Sequence, residues 1–154
     1  MNQHRKQKIA GFSLIELMIV IAIIGLLIAV GVPAWSYMVR NGNENAAIQT
    51  LRKINQNQAG YRTRKGKYGT FDDLIKETEF NENFKGEKPV FNGYVYTMTL
   101  RERAAGQAPF FSVKADPESA TSGTRHFYID SDKSTIKVND EGEATTDSPS
   151  LQGS

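Results

Sequence analysis

The sequence predicts an α+β protein in which a long N-terminal helix, apolar in its first half and amphipathic in its second, packs on a four-stranded antiparallel sheet. Three observations predict it. Residues 17–35 are nineteen consecutive positions without a charged or polar side chain. Residues 36–60 then place apolar side chains at helical spacing. Finally, residues 94–101, 110–115, 126–131 and 135–138 are rich in aromatic and β-branched residues and are separated by Gly, Pro, Asp and Ser signals.

The apolar run spans about 28 Å as a helix at roughly 1.5 Å per residue, close to a bilayer core of about 30 Å. Leu, Met, Ile, Val and Ala cover every face of its helical wheel, so the helix must be buried all round. One charge, Glu16, stands at its head, where a carboxylate near hydrocarbon usually marks a position with a partner, although depth alone would also allow it simply to sit at the membrane surface. A helix beginning at Phe12 would present free N–H groups and a positive dipole end, and Glu16 one turn in complements both. Pro33 has no N–H to donate and its ring opposes the Ala29 carbonyl, which predicts a kink or local opening there. Gly25 and Gly31 add backbone freedom, although membrane helices tolerate Gly and Pro routinely.

Gly11, Phe12, Ser13, Leu14, Ile15, Glu16 and Leu17, behind a short basic leader and ahead of an apolar helix, resemble the start of a type IV pilin precursor. The resemblance covers residues 11–35 closely. It implies a pilin fold, cleavage by a prepilin peptidase between Gly11 and Phe12, and methylation of the new Phe12 amino group. It also implies that Glu16 pairs with the Phe12 amine of a neighbouring copy during filament assembly, and that an assembly ATPase and an inner-membrane platform protein are partners. Gly25 and Pro33 fall where main pilins of the family have a helix-weakening Gly and Pro.

The expected organisation is a leader at residues 1–11, a transmembrane and assembly helix at 12–35, and an amphipathic helix with a globular domain and polar tail at 36–154. Arg5, Lys6 and Lys8 precede the apolar run and hold the N-terminus on the cytoplasmic side, placing the rest beyond the inner membrane and, in a filament, outside the cell. The competing reading is a secretory signal cut after Val32, Pro33 and Ala34. Against it stand Pro33 beside that site, Glu16 and the Gly11–Phe12 junction. Removal of the leader leaves 16 basic against 17 acidic residues, so net charge gives no argument for nucleic acid. The chain has no cysteine and must hold itself by packing.

In the second half of the helix, Ala47, Leu51, Ile54, Gln58 and Tyr61 share one face that is expected to meet the sheet. Asn41, Gly42 and Asn43 form a weak spot that leaves open a bend or two separate helices. Residues 61–93 read as an irregular connection with one short helix, capped by Thr70 with Asp73 three residues on, and anchored by Tyr68, Phe71 and Leu74. Arg62, Arg64, Lys65 and Lys67 suit a solvated loop better than DNA, an acidic surface or a neighbouring copy. On the sheet, Tyr94, Tyr96, Met98 and Leu100 share a face, as do Phe111, Val113 and Ala115, and Phe127 with Ile129. In the resembled family the final segment is commonly fastened by a disulfide; here either Leu151 and its neighbours dock without a crosslink or residues 139–154 are loose, and low hydrophobicity favours the second.

Chemistry is sparse. Gly60 to Lys67 fails as a phosphate loop because five residues separate its glycines and Tyr68 replaces the needed hydroxyl. Asp130, Asp132, Ser134 and Glu141 have calcium-loop spacing, yet Thr135 stands where the sharp turn wants Gly, and a hairpin turn explains them better. His4 and His126 lack ligand neighbours, no nucleophile elbow is present, and no enzyme, metal or cofactor is expected. The expected function is that of a structural pilus subunit, with a minor pilin, a type II secretion pseudopilin or a non-polymerising membrane-anchored binding module as alternatives. The role of the fibre in adhesion, motility, DNA uptake or electron transfer stays open at this point.

Overall fold

The computed structural model describes residues 11–151, and residues 1–10 of the expected leader lie outside that range. Its elements are a long helix α1 (Leu14–Lys65), a short helix α2 (Phe71–Thr78), a 3-10 turn (Glu82–Phe84) and five strands. These strands are β1 (Val90–Phe91), β2 (Tyr94–Arg101), β3 (Phe110–Pro117), β4 (His126–Asp130) and β5 (Lys137–Asn139). The chain divides into two units at Tyr37/Met38, so that α1 contributes its first half to one and its second half to the other.

The second unit is built on one sheet of order β1-β2-β3-β4-β5, every neighbouring pair antiparallel. Register brings the expected apolar positions onto one face: Tyr96 opposite Ala115, Met98 opposite Val113, and Ala115 opposite Phe127. Ala47, Leu51, Ile54 and Tyr61 from α1 join them in a single core. The helical spacing at residues 47–61 therefore reported a buried stripe correctly. The backbone stays helical through Asn41, Gly42 and Asn43, so the alternative of two helices with a loop at Gly42 is not adopted.

The sheet has five strands where four were expected. The additional β1 is two residues long and pairs with β2 through Val90 opposite Val95 and Phe91 opposite Tyr94. Asn92 and Gly93 connect them at φ 49° and 72°, the left-handed pair that a two-residue hairpin turn requires. Edges elsewhere shift for local reasons. Strand β4 ends at Asp130, whose Oδ1 accepts the N–H groups of Asp132 (3.0 Å) and Lys133 (2.9 Å) and turns the chain just after the Ser131 N–H has made a last bond to the Phe111 carbonyl at 3.0 Å. Ser134 follows at φ 52°, and β5 begins only at Lys137.

Helix α2 forms as its cap predicts. Thr70 Oγ1 accepts the Asp73 N–H and Asp73 Oδ2 accepts the Thr70 N–H at 2.9 Å, a reciprocal box that satisfies two otherwise free donors. Its buried Phe71 and Leu74 join a group of rings, with Phe84 touching Phe71, Phe80, Phe91 and Tyr96 at centroid distances of 4.9–5.6 Å.

The final segment corrects the expectation of a loose tail. The Val138 N–H donates to the Pro149 carbonyl at 2.9 Å and the Leu151 N–H to the Ile136 carbonyl at 2.8 Å. Ser150 forms a bridge with Lys137, Thr146 Oγ1 donates to Asp130 Oδ2 at 3.2 Å, and Ala144 is buried. Backbone pairing along the sheet edge holds the tail through residue 151. Hydrophobicity underestimated it because main-chain hydrogen bonds do not depend on apolar side chains.

Candidate functional site

The candidate site is the first unit, the start and apolar half of α1. Phe12 lies ahead of the helix with 87% of its surface exposed, and helical hydrogen bonding begins when the Leu17 N–H donates to the Ser13 carbonyl at 3.2 Å. The helix thus starts at Leu14, two residues later than a helix opening on Phe12. Glu16 becomes its third residue, and its Oε2 accepts the Ser13 N–H at 2.8 Å. This is one arm of a capping box, S-x-x-E, whose spacing is legible at residues 13–16. Within a single copy the carboxylate is therefore engaged with its own helix start, where the dipole favours it.

Beyond Glu16, the large aliphatic side chains of the first unit are exposed. Every apolar side chain from Leu14 to Ile28 that is large enough to bury appreciable area is exposed, and so are Val30, Val32 and Trp35. Among the described residues this is the one helix long and apolar enough to cross a membrane, and none of its most apolar 18-residue window is buried. A contiguous apolar surface of this size on a soluble monomer would be an aggregation liability, so it needs a membrane or partner helices.

The glycines of this unit are informative by their emptiness. A Cβ built at Gly11, Gly25 or Gly31 would meet nothing within 4 Å. Glycine inside a helix costs about 1 kcal/mol relative to alanine, and the packing of a single chain offers no compensation at Gly25 or Gly31. The backbone is helical at Pro33 as well.

The second unit supplies two polar clamps that sequence reasoning missed. Glu44 lies on the same helical stripe as Ala47 and Leu51, with its side chain only 4% exposed. Its Oε1 accepts from the Thr124 N–H and hydroxyl, both at 3.1 Å, and its Oε2 accepts from Arg125 Nε at 2.7 Å. Burial opposes the charged form, but the Thr124 N–H and the Arg125 guanidinium outweigh it and hold the carboxyl below its ordinary range. Nearby, Asn43 donates to the Ser122 carbonyl at 2.9 Å. At the far end of the stripe, buried Gln58 donates to the Gly69 carbonyl at 2.6 Å and accepts the Gly69 N–H at 3.0 Å. Gln58 falls on the face expected to be buried, and this pair of hydrogen bonds to Gly69 explains how an amide is tolerated there.

The basic cluster is occupied within the unit. Arg62 donates to the Tyr68 hydroxyl at 2.8 Å and sits over its ring, Lys65 pairs with Glu77 at 3.2 Å, and Lys67 lies 3.8 Å from Glu102. Arg64 donates to the Glu77 carbonyl at 3.3 Å. Arg62, Arg64 and Lys65 also close the C-terminal turn of α1, where the helix dipole favours them. Asp130 serves the β4–β5 turn, and among the described residues no cluster of three or more His, Asp or Glu is placed to hold a metal ion.

Residues 6–32 match the family described as the prokaryotic N-terminal methylation motif. No solved structure matches the chain. The matched segment contains Gly11, Phe12, Glu16, Gly25 and Gly31 and ends one residue before Pro33.

Proposed function

We propose that this chain, which carries a type IV prepilin-like signal at residues 6–32, is a structural subunit of a type IV pilus. It is cut after Gly11 by a prepilin peptidase, methylated on Phe12 and polymerised through its apolar helix. The observation that carries this reading is the pairing of the methylation motif with a helix whose apolar surface is bare on all sides. Such a helix is stable in two settings only, lipid or a bundle of like helices, and a pilin passes from the first to the second.

Three features support the assignment of residues. Among the described residues nothing lies within 4 Å of a Cβ built at Gly11, which leaves this position accessible for recognition by a peptidase. Phe12 is exposed ahead of the helix, with its future amino group free to be modified. Glu16 accepts the Ser13 N–H, a bond that a neighbouring amine can supplement or replace during polymerisation. Gly25 and Gly31 would let the backbones of neighbouring helices approach closely, and Pro33 would loosen the rod where it leaves the bundle.

The assembly ATPase and membrane platform are partners of this reading, since polymerisation needs energy that the chain does not supply. The experiment is isolation of sheared surface fibres and peptide mapping of their protein. The expected result is this chain as a main component. Its absence from fibres, with the protein retained in the membrane, would favour an anchored monomer and defeat the proposal.

A further inference from the structure

The apolar half of α1 is longer than it needs to be. Between Glu16 and the next charge, Arg40, lie 23 residues, about 34 Å of helix at roughly 1.5 Å per residue. A hydrocarbon core is about 30 Å thick, so composition alone lets the helix slide by several ångströms. That slack matters because it decides whether Glu16 sits in hydrocarbon or at its edge.

Two side chains remove it. Trp35 and Tyr37 are 71% and 68% exposed and follow the last aliphatic positions of the first unit. Two residues apart, they point about 200° from one another around the helix, so that opposite sides each carry an amphipathic ring at nearly one depth. Between them, the Ser36 hydroxyl donates to the Val32 carbonyl at 3.2 Å and is satisfied within the helix. Trp and Tyr favour the headgroup level, where the ring is shielded and its N–H or O–H stays wet. With Trp35 there, Glu16 lies nineteen residues away, about 28 Å along the axis, which is the opposite edge of the core.

We infer that Trp35 and Tyr37 form a headgroup-level belt that fixes the depth of the membrane-stored subunit and thereby holds Glu16 at the opposite interface. This inference rests on the reading that the apolar helix is stored in a bilayer. Charge complementarity supports lipid as the occupant: Arg5, Lys6 and Lys8 precede Glu16 and suit the anionic headgroups of the cytoplasmic leaflet. The consequence is that the carboxylate remains hydrated and capped by Ser13 during storage, and enters a dry environment only on transfer into the helix bundle.

Trp35 is the single tryptophan of the chain, so its fluorescence reports depth directly. The full uncut chain would be reconstituted into phosphatidylcholine and phosphatidylglycerol vesicles carrying a nitroxide near the headgroup or near the acyl end. Flotation would verify insertion in every sample. Quenching by the shallow nitroxide is expected to exceed that by the deep one roughly twofold. Leu26→Trp in a Trp35→Phe background should invert that order, and Tyr37→Leu should lower the wild-type ratio. Stronger deep quenching of Trp35 would overturn the belt while leaving membrane storage intact. Protection from both nitroxides that is lost on dilution with lipid would also overturn it, because the ring would then face a second copy. Failure to float with vesicles would overturn the belt and membrane storage together.

Discussion

Arg125 Nε donates to Glu44 Oε2 at 2.7 Å, joining the β3–β4 loop to the buried stripe of α1 through a carboxylate that takes three further hydrogen bonds from Thr124 and the Arg125 N–H. This pair lies at the end of the globular core nearest the apolar segment in sequence. It fixes the loop at residues 122–125 against the helix, where Gly123 is also required because a Cβ there would collide with the Tyr94 hydroxyl.

Glu44→Ala should therefore destabilise the globular unit by about 2–3 kcal/mol, somewhat less than the roughly 3–5 kcal/mol of a fully buried broken pair because Arg125 keeps solvent access. Thermal unfolding in detergent, followed by circular dichroism, checks it. A change below about 0.5 kcal/mol, as for an ordinary surface substitution, would mean the pair contributes little.

Acid should weaken the same contact. The Glu44 carboxyl is held below its ordinary value of 4.5 in the folded state, so its contribution is fully present above that value and is lost as pH falls through the lower folded value. Asp73, lowered chiefly by the Thr70 N–H, acts in the same direction. The unfolding midpoint is expected to fall below about pH 4.5 in the wild type, and to fall less steeply in Glu44→Gln. Parallel pH profiles for the two proteins would remove Glu44 from this account.

Gly69 is expected to tolerate no side chain. A Cβ would stand 2.9 Å from Asp73 Cβ and 3.1 Å from the Tyr61 ring, beside the double hydrogen bond to Gln58. Gly69→Ala should cost about 1–3 kcal/mol by overpacking, and Gln58→Leu a similar amount by leaving the Gly69 N–H and carbonyl unpaired. Urea titrations of both variants measure this.

The tail should behave as part of the fold. Because residues 149–151 pair with residues 136–138 and Ala144 is buried, Glu141 and Glu143 are expected to resist a glutamate-specific protease under native conditions. Rapid cleavage there without loss of the remaining domain would show that the segment is loose, as its composition alone suggests.

Much of this architecture is legible in the residues themselves. The stripe from Ala47 to Tyr61, the Thr70 cap and the span of β2 follow from periodicity and local hydrogen-bond chemistry, which short sequence windows contain. Strand β1 was overlooked although Asn92–Gly93 is a hairpin signal, because a two-residue strand carries no alternation of its own. Glu44 and the tail were not legible for a different reason. A buried carboxylate and an edge-paired polar segment depend on partners 80 residues away, or on main-chain groups that every sequence has. At the helix start, the S-x-x-E spacing of Ser13 and Glu16 is legible in the sequence as a capping box, and the Ser13 N–H bond to Glu16 forms it in part.

Glu16→Ala is expected to leave membrane insertion intact and to abolish or severely reduce fibres, since the apolar helix is unchanged but the carboxylate that would meet a neighbouring amine is gone. Electron microscopy of sheared fractions beside immunoblots of membranes separates the two effects. Normal fibre numbers from that variant would remove Glu16 from assembly.

The most direct measurement is the mass of the N-terminal peptide of the mature protein taken from cells. A peptide beginning at N-methylated Phe12 is the predicted result. A mature chain beginning at Trp35, or one that retains the basic leader, would contradict it.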